Sequence, residues 1–494
     1  MNARLCATVT GRTTDELRAR RDAAGDADMV EVRLDYAQEL DVAGVLSDRR
    51  CPVVVTCRPS WEGGHFQGSE EERRQLLARA HQLGADYVDV EWRAGFDDII
   101  NADHGRRIVL SVHDFVHVPD DLDEQFREMR ASGAEVVKIA VHTAALTDLV
   151  TLRDFSRRHQ AEGGGARVVI GMGPAGIASR VLPDRFGSCW TYAGHGVAPG
   201  QIDLSQMLDE FRVRALTSDS ELYGVLGSPL AHSLSPVMHN AGFDEIGRDA
   251  VYLPFEAADM DDFERFAMAF GVRGASVTAP YKEAVVSKVA SSDDLSQRVG
   301  AVNTVSIDSS GWRGINTDVP GFLAPLRGRI RLDGCRAVVL GAGGAARGVA
   351  TALVDEGASV TVCARNLERA TSVARLVDGT IASIPPQPGT WDLLVNTTPI
   401  GTHPNDDVSP MADVGLGGAL VYDLVYNPPV TRLLADAAAA GCSTIGGLDM
   451  LVAQAERQFA WWTGVSPGEH TFRNAAQRRL DAALQLEKAR ADAS

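Results

Sequence analysis

At 494 residues the chain exceeds what one compact core organises, so two or three domains are expected. Its composition is that of ordinary globular protein, 45% hydrophobic and 23% charged, with no low-complexity tract to suggest a disordered or fibrous chain. The net charge is −18, and no basic stripe or polybasic tail offsets it, which excludes nucleic acid and acidic membrane surfaces as expected partners.

Seven cysteines with no CxxC pair imply neither a disulfide framework nor a zinc site, and no metal is expected. Residues 1–10 lack an apolar signal core, and no run approaches ~18 apolar residues. The expectation is a cytoplasmic protein acting on small molecules, its oligomeric state open. An anionic substrate has to be drawn by local arginines and backbone dipoles.

Up to about residue 205, β-rich runs recur at 5–10, 29–35, 52–58, 87–92, 107–114, 135–141, 167–172 and 189–194. The stretches 70–83 and 122–132 between them carry apolar residues at helical spacing and end near glycine. Eight strand–helix units in this length predict a closed (β/α)8 TIM barrel, since doubly wound sheets usually have fewer strands. A helix over 204–213 and polar, proline-free residues 214–221 follow, the latter read as an inter-domain linker. A new α/β pattern starts at 222–226. A strand at 336–340 leads into a glycine motif and a helix, and helical stretches over 450–462 and 467–488 close the chain. The second half reads as a two-lobed α/β region.

Functional side chains of a barrel project from the C-terminal ends of its strands. Glu31, Arg33 and Asp35 alternate with Val32 and Leu34, the period of two that keeps them on one face. Thr56 and Arg58 end the third strand, Asp89 and Glu91 the fourth, Ser111 and His113 the fifth, and Lys138 lies within the sixth. A lysine in a strand is usually solvated, at an edge or on an exposed face. Flanked by Val136, Val137, Ile139 and Ala140, this one has little access to water, and desolvation favours the nucleophilic amine that Schiff-base chemistry requires. Glu62, in Glu62-Gly63-Gly64, could orient the imidazole of His113.

Glu31-Val-Arg-Leu-Asp35, Thr56-Cys-Arg58 with Glu62-Gly-Gly64, Ser111-Val-His-Asp-Phe115, Val137-Lys-Ile-Ala140, Ser179-Arg180, Phe186-Gly-Ser188 and Ala198-Pro-Gly-Gln201 resemble type I 3-dehydroquinate dehydratase, in that family's order, over about residues 5–213. The resemblance implies that Lys138 forms an imine with the substrate ketone. His113 would be general acid/base for syn elimination of water, oriented by Glu62. Glu31, Arg33, Arg58, Arg180 and Gln201 would hold hydroxyls and carboxylate, the planar fork of Arg180 suiting both carboxylate oxygens. Val197 stands where the family usually has serine, which removes a hydroxyl from the closing loop.

In the second half, Gly341-x-Gly343-x-x-Ala346 follows a strand and opens a helix, a context that places a pyrophosphate on a helix N-terminus. The next strand, 359–363, normally ends in a carboxylate for a ribose hydroxyl. Here Ala364 and Arg365 follow, with Arg369 one turn on, which points to a 2′-phosphate and NADP; the plainer reading of Arg365 is a solvated loop residue. Upstream, Gly227-Ser-Pro-Leu-Ala-His-Ser-Leu-Ser-Pro236 sets two hydroxyls before a predicted helix that Ser235 can cap. Lys282 ends a proline-containing loop, and Gly300-Ala-Val-Asn-Thr304 and Gly314-Ile-Asn-Thr-Asp318 add an amide and a carboxylate. Together they supply hydroxyl-binding groups and a proton donor for ketone reduction.

These segments, with Asn396-Thr-Thr-Pro-Ile-Gly401, Tyr422-Asp-Leu-Val-Tyr-Asn-Pro428 and Gly447-Leu-Asp-Met-Leu-Val-Ala-Gln454, resemble shikimate dehydrogenase over about residues 221–487. The resemblance implies a Lys282/Asp318 pair handling the proton while hydride moves to or from nicotinamide. Ser233, Ser235, Thr278, Asn303, Asp318, Tyr426 and Gln454 would bind hydroxyls and carboxylate. Gly341, Ala342, Gly343, Gly344, Ala345, Arg365, Arg369 and Gly447 would face the cofactor. Ser276 stands where that family usually has asparagine, as does Ala364 before Arg365.

The two resemblances imply consecutive steps on one carbocyclic acid: dehydration of 3-dehydroquinate, then NADPH-dependent reduction of 3-dehydroshikimate. The expected division is a barrel over 1–215, a substrate-binding lobe over 221–325, a Rossmann-type NADP lobe over 326–450, and helices over 451–487 returning to the substrate lobe. Two alternatives stand beside this. The second half could act mainly on quinate, although the Ser233/Ser235 pair favours shikimate, or one half could be a catalytically silent binding module.

Overall fold

Eight parallel strands form the first sheet: β1 (Arg4–Thr10), β2 (Met29–Arg33), β3 (Val53–Thr56), β4 (Tyr87–Glu91), β5 (Ile108–Asp114), β6 (Val136–His142), β7 (Ala166–Met172) and β8 (Trp190–Ala193). In this computed structural model the described residues are 3–412 and 414–492; Met1 and Asn2, part of the N-terminal reading above, lie outside them. The strand order is β7-β6-β5-β4-β3-β2-β1-β8, so β8 returns beside β1 and the sheet curls into a barrel. At the seam, the Cys189 N–H donates to the Arg167 carbonyl at 2.8 Å, and the Val169 N–H donates to the Ser188 hydroxyl at 2.9 Å. All eight predicted strands are present.

β-Branched runs such as Val53-Val54-Val55 favour strands, and helices such as Glu70–Gln82 and Leu122–Ala131 cover them. The first of these helices starts with a reciprocal capping box between Ser69 and Glu72, a device that contributes about 1 kcal/mol. Val136 and Ala140 pack in the barrel interior. Lys138 lies two residues from each, so the strand pleat turns it to the same inward face.

Beyond β8, the predicted helix over 204–213 starts at 204 as expected, passes into a π-helical turn at Gln206–Glu210 and stops there. Arg212 adopts a left-handed backbone at φ 52°, which breaks helical continuity, and a 3-10 turn follows at Val213–Ala215. The segment read as a linker is tied down. Arg214 pairs with Asp28 at 3.1 Å, the Thr217 hydroxyl donates to Asp249 at 2.8 Å, and Ser220 also bonds Asp249.

The chain forms two compact units, one comprising residues up to Leu230 with Asp249–Val272, the other Ala231–Arg248 with the rest from Arg273. The first also contains β9 (Glu221–Leu226) and β10 (Ala250–Phe255), paired in parallel. The second contains the helix Ser235–Glu245 and, from Arg273 on, β11 (Val272–Val277), β12 (Ser291–Ser292), β13 (Thr304–Asp308) and β14 (Gly311–Ile315). β13 lies antiparallel to both β11 and β14, and β12 parallel to β14.

The rest of the second unit is built on β15 (Arg336–Leu340), β16 (Ser359–Cys363), β17 (Thr380–Ala382), β18 (Leu393–Asn396), β19 (Leu420–Asp423) and β20 (Ser443–Ile445). These run parallel in the order β17-β16-β15-β18-β19-β20, the doubly wound Rossmann arrangement. Along β15, Ala337 and Val339 belong to one apolar cluster and Val338 and Leu340 to another, so both faces of the sheet are covered. Strand order reverses between β15 and β18, which opens a crevice at their C-terminal ends. Helices Gly447–Thr463 and Thr471–Asp492 end the fold. Among the described residues no helix is long and apolar enough to cross a membrane.

Two candidate active sites

The barrel holds a cavity of about 90 Å³ at the C-terminal ends of its strands. Lys138, His113, Glu62, Glu31, Arg33, Arg58, Arg180 and Gln201 all line it, as does Val197. Lys138 is 5% exposed, and its Nζ donates to Asp89 Oδ2 at 3.0 Å, lies 3.6 Å from Glu31 Oε1 and sits 4.3 Å over the Tyr192 ring. The apolar neighbours read from the sequence are its strand-mates; carboxylates and an aromatic face surround its amine. Asp89 reads from the sequence as a polar strand end without an assigned role; Tyr192 fell outside the predicted site, as did Thr8, which also lines the cavity and donates to Glu31 Oε2 at 2.9 Å. The signal for Thr8 and Tyr192 was strand parity alone, since neither carries a charge that marks it as misplaced in a core.

Arg58 is held by four side chains: Glu91 at 2.8 Å, Ser111 at 2.9 Å, Asp89 at 3.0 Å and Glu62 at 3.5 Å. Arg33 forms a two-pronged pair with Asp35, at 2.8 and 2.7 Å. Arg180 contrasts with both. It is 2% exposed, its Nη2 donates to the Pro199 carbonyl at 3.1 Å, and its Nε lacks a partner. Burial pulls its guanidinium down to about 10. A buried cation without a counter-ion costs several kcal/mol, so this position is built for an anion that arrives with the ligand.

The cluster sorts its titrating groups. Burial raises the Glu31 carboxyl, but Lys138 and Arg33 reverse the effect and leave it below its usual range. Asp89 is likewise driven down against burial by Arg58 and Lys138. Burial pushes Glu62 up. Glu91 rises to about 7, again by burial, with Arg58 and Arg73 opposing. His113 falls well below the ordinary imidazole range through burial, reinforced by Arg58 and Lys138, and so stands neutral. The Glu62 carboxylate is 3.7 Å from His113 Nδ1, beyond hydrogen-bond distance, and instead accepts from the His113 backbone N–H at 3.1 Å. Glu62 thus grips the strand that carries the imidazole.

In the second unit, Lys282 Nζ donates to Asp318 Oδ2 at 2.5 Å, and Asn303 Nδ2 donates to Asp318 Oδ1 at 2.8 Å. Asp318 opens the helix Asp318–Leu323, and Asn316 Oδ1 receives the first N–H groups, from Asp318 at 3.1 Å and Val319 at 3.2 Å. Gly321 lets Gln454 approach: a Cβ there would stand 2.6 Å from the Gln454 Cβ. Thr278 directly follows β11, and Tyr426 lies three residues beyond β19, where burial raises its phenol. The expectation that Ser235 caps its helix is corrected. The N-cap position is Leu234, and Ser235 is itself helical; the Ser233 hydroxyl, one residue before the cap, accepts the Ser235 N–H at 3.3 Å.

A cleft of about 900 Å³ at the β15/β18 crossover is lined by Gly341, Ala342, Gly343, Arg365 and Arg369, with Asn366 and Thr397. Gly341 has φ 116°, and a Cβ there would stand 2.5 Å from Thr397 Oγ1, so the turn accepts only glycine. Gly343 precedes the helix Gly344–Asp355, whose first N–H groups, including those of Gly344 and Ala345, lack partners within the helix. Asn366, two residues past Ala364, caps the next helix by accepting the Arg369 N–H at 3.0 Å. Two guanidinium groups without a carboxylate among the lining residues fit a phosphorylated ribose. Gly447 lies elsewhere in the unit's packing, where a Cβ would strike the Leu424 and Val425 carbonyls.

Comparison with known proteins agrees with this two-part arrangement. A family model described as type I 3-dehydroquinase matches residues 5–217. Models for the shikimate dehydrogenase substrate binding domain, for shikimate/quinate 5-dehydrogenase and for the shikimate 5′-dehydrogenase C-terminal domain match residues 225–305, 326–386 and 447–477. The bifunctional 3-dehydroquinate dehydratase/shikimate dehydrogenase of Arabidopsis thaliana is 32% identical over 498 residues, covering 93% of this chain and 82% of that protein. The NADP(+) shikimate dehydrogenase of Halobacterium salinarum is 42% identical over 266 residues, covering 53% of this chain and all of that one (100%). A crystal structure of shikimate dehydrogenase in complex with NADP+ superposes with a TM-score of 0.50 at 32% identity, covering 54% of this chain and 97% of that one.

Proposed function

The chain belongs to the family of bifunctional 3-dehydroquinate dehydratase/shikimate dehydrogenases, and from that premise we infer that it converts 3-dehydroquinate to shikimate in two steps, the second with NADPH. The carrying observation is one lysine–carboxylate pair in each unit, Lys138–Asp89 at 3.0 Å in the barrel and Lys282–Asp318 at 2.5 Å in the reductase. Functionally the chain divides as barrel over 1–215, substrate lobe over 221–325, NADP lobe over 326–450 and closing helices over 451–487.

In the barrel, Arg180 takes the substrate carboxylate, and Lys138 passes its ammonium proton to Asp89 and attacks the ketone carbon, the proton then returning to the departing hydroxyl so that it leaves as water. Loss of water gives an imine whose cationic nitrogen acidifies the adjacent C–H bond. His113, neutral through burial, removes that proton, and the electron pair enters an enamine. The enamine returns its electrons to expel the β-hydroxyl, which leaves as water with the proton from His113. Hydrolysis frees 3-dehydroshikimate and restores Lys138. Because neutral His113 is the base, the acid limb of kcat/KM for dehydration is expected below pH 6.5, the usual imidazole value. A pH–rate profile with that limb at or above 6.5 contradicts this role.

In the reductase, bound NADPH supplies the hydride to the ketone carbon. Lys282 donates a proton to the developing alkoxide, and Asp318 holds the ammonium in place. Arg365 and Arg369 would hold the 2′-phosphate. Replacing Arg365 with alanine is expected to raise KM for NADPH by roughly 10- to 100-fold, the scale of a lost charged hydrogen bond, with KM for NADH nearly unchanged. Equal losses with both nucleotides would place Arg365 outside phosphate recognition.

One coupled assay tests the whole reading. 3-Dehydroquinate given with NADPH should yield shikimate and consume one NADPH per substrate, and NADH should serve poorly. If NADPH is consumed only when 3-dehydroshikimate is supplied, the barrel lacks the activity assigned to it.

A further inference from the structure

Ser276, the residue that departs from the family pattern, begins a buried chain of hydrogen bonds that ends on Asp318. Its hydroxyl donates to Gln458 Oε1 at 2.7 Å. Gln458, on the helix Gly447–Thr463 and 1% exposed, donates through Nε2 to Thr304 Oγ1 at 3.1 Å and to the Asn303 carbonyl at 3.4 Å. The Thr304 hydroxyl, having accepted from Gln458, donates to Asn303 Oδ1 at 2.9 Å. Asn303 Oδ1 also receives the Thr317 N–H at 2.7 Å, which leaves Nδ2 to donate to Asp318 Oδ1 at 2.8 Å and to the Thr317 hydroxyl at 2.9 Å. Every donor along this path points toward Asp318, whose other oxygen receives Lys282.

We propose that Gln458 is a positioning residue for the reduction, acting with Ser276 and Thr304 to hold the Asn303 amide with its N–H₂ toward Asp318. The proposal rests on the reading of Lys282 and Asp318 as the proton-handling pair. An amide has one donor end and one acceptor end, and Asn303 could in principle be reversed. Its oxygen receives the Thr317 N–H at 2.7 Å and the Thr304 hydroxyl at 2.9 Å, with the Thr317 hydroxyl at 3.2 Å. The Thr304 hydroxyl is directed there because Gln458 presents N–H₂ and not oxygen to it. Gln458 presents that face because Ser276 donates to its other end. The substitution of asparagine by Ser276 is thereby part of the device: its hydroxyl donates to Gln458 Oε1 and holds the amide in this sense. His239 is buried at the same helix beside Phe459, Trp462 and Phe472, and burial lowers its imidazole to about 3, so it remains neutral through the working range.

The sharp test is Gln458→Glu, which keeps the shape but presents an acceptor to Thr304, so that the Thr304 hydroxyl turns away from Asn303. Thr304→Val, which removes the hydroxyl at constant size, should reproduce the defect, and Thr304→Ser should restore function. Gln458→Met serves as an uncharged control for the cost of a buried carboxylate. The expected result is a fall in kcat for reduction of about tenfold or more, the scale of a misplaced catalytic group, with KM for NADPH unchanged and the pH profile of reduction displaced. Dehydration by the same chain should remain at the wild-type rate. Lys282→Ala separates the two levels. If that variant still reduces 3-dehydroshikimate, the proton-pair reading fails. If Lys282→Ala is inactive while Gln458→Glu and Thr304→Val keep the wild-type kcat and pH profile, the positioning role fails. A loss in which kcat and cofactor KM change together without a pH shift, and which Thr304→Ser does not restore, assigns Gln458 to packing and overturns the proposal.

Discussion

Replacing Lys138 with alanine is expected to lower dehydration of 3-dehydroquinate by roughly 10⁴-fold or more, the scale on which removal of one member of a covalent catalytic unit acts. Lys138 is the one primary amine among the residues lining the cavity, and Asp89, Glu31 and the Tyr192 ring stand around its Nζ. The loss should be confined to that reaction, with NADPH-dependent reduction of added 3-dehydroshikimate unchanged. The covalent step has its own readout. Borohydride in the presence of 3-dehydroquinate should fix a stable adduct to Lys138, found by peptide mass spectrometry, and the alanine variant should give none. An unmodified Lys138 after trapping, or an adduct on another lysine, would end the Schiff-base assignment. Truncating Lys138 leaves Asp89 and Glu31 without one of their cations, so thermal unfolding belongs beside the rates. Lys138→Met fills the space and separates a folding defect from a missing amine.

The barrel was legible because its strands alternate so regularly and because charge stands out against an apolar run. Lys138 between Val137 and Ile139, or Arg33 between Val32 and Leu34, cannot be core in the ordinary sense. Uncharged contributors carried no such mark. Thr8 and Tyr192 look like β-formers in strands, and only the closed sheet reveals their inward aim. Arg212 ends a helix through a left-handed backbone that its side chain does nothing to announce. The 214–221 segment had the composition of a tether. Its polar side chains are instead used up in bonds to Asp28 and Asp249, residues that composition cannot pair with it. Ser276 read as a simple departure because its partner, Gln458, lies 182 positions away along the chain. Long-range polar pairing is the part of a site that periodicity does not encode.

Lys282→Ala should reduce NADPH-dependent reduction of 3-dehydroshikimate by about 10²- to 10⁴-fold, the range of a lost general acid, while dehydration proceeds at the wild-type rate. With both substrates present, the variant should therefore accumulate 3-dehydroshikimate from 3-dehydroquinate without oxidising NADPH. The asymmetry follows from the geometry. Lys282 bonds Asp318 at 2.5 Å, and Asp318 is held from its other side by Asn303 at 2.8 Å, all within one compact unit. The barrel cavity lies in the other unit and draws none of its lining from these residues. Binding of NADPH should survive, because the nucleotide cleft is lined by Gly341, Gly343, Arg365 and Arg369, not by Lys282. Nucleotide titration by fluorescence checks this directly. If Lys282→Ala also abolishes dehydration while the barrel remains folded, the two chemistries share a functional dependence that two self-contained sites do not provide. If it retains reduction, another group protonates the alkoxide, and the role of Asp318 has to be assigned afresh.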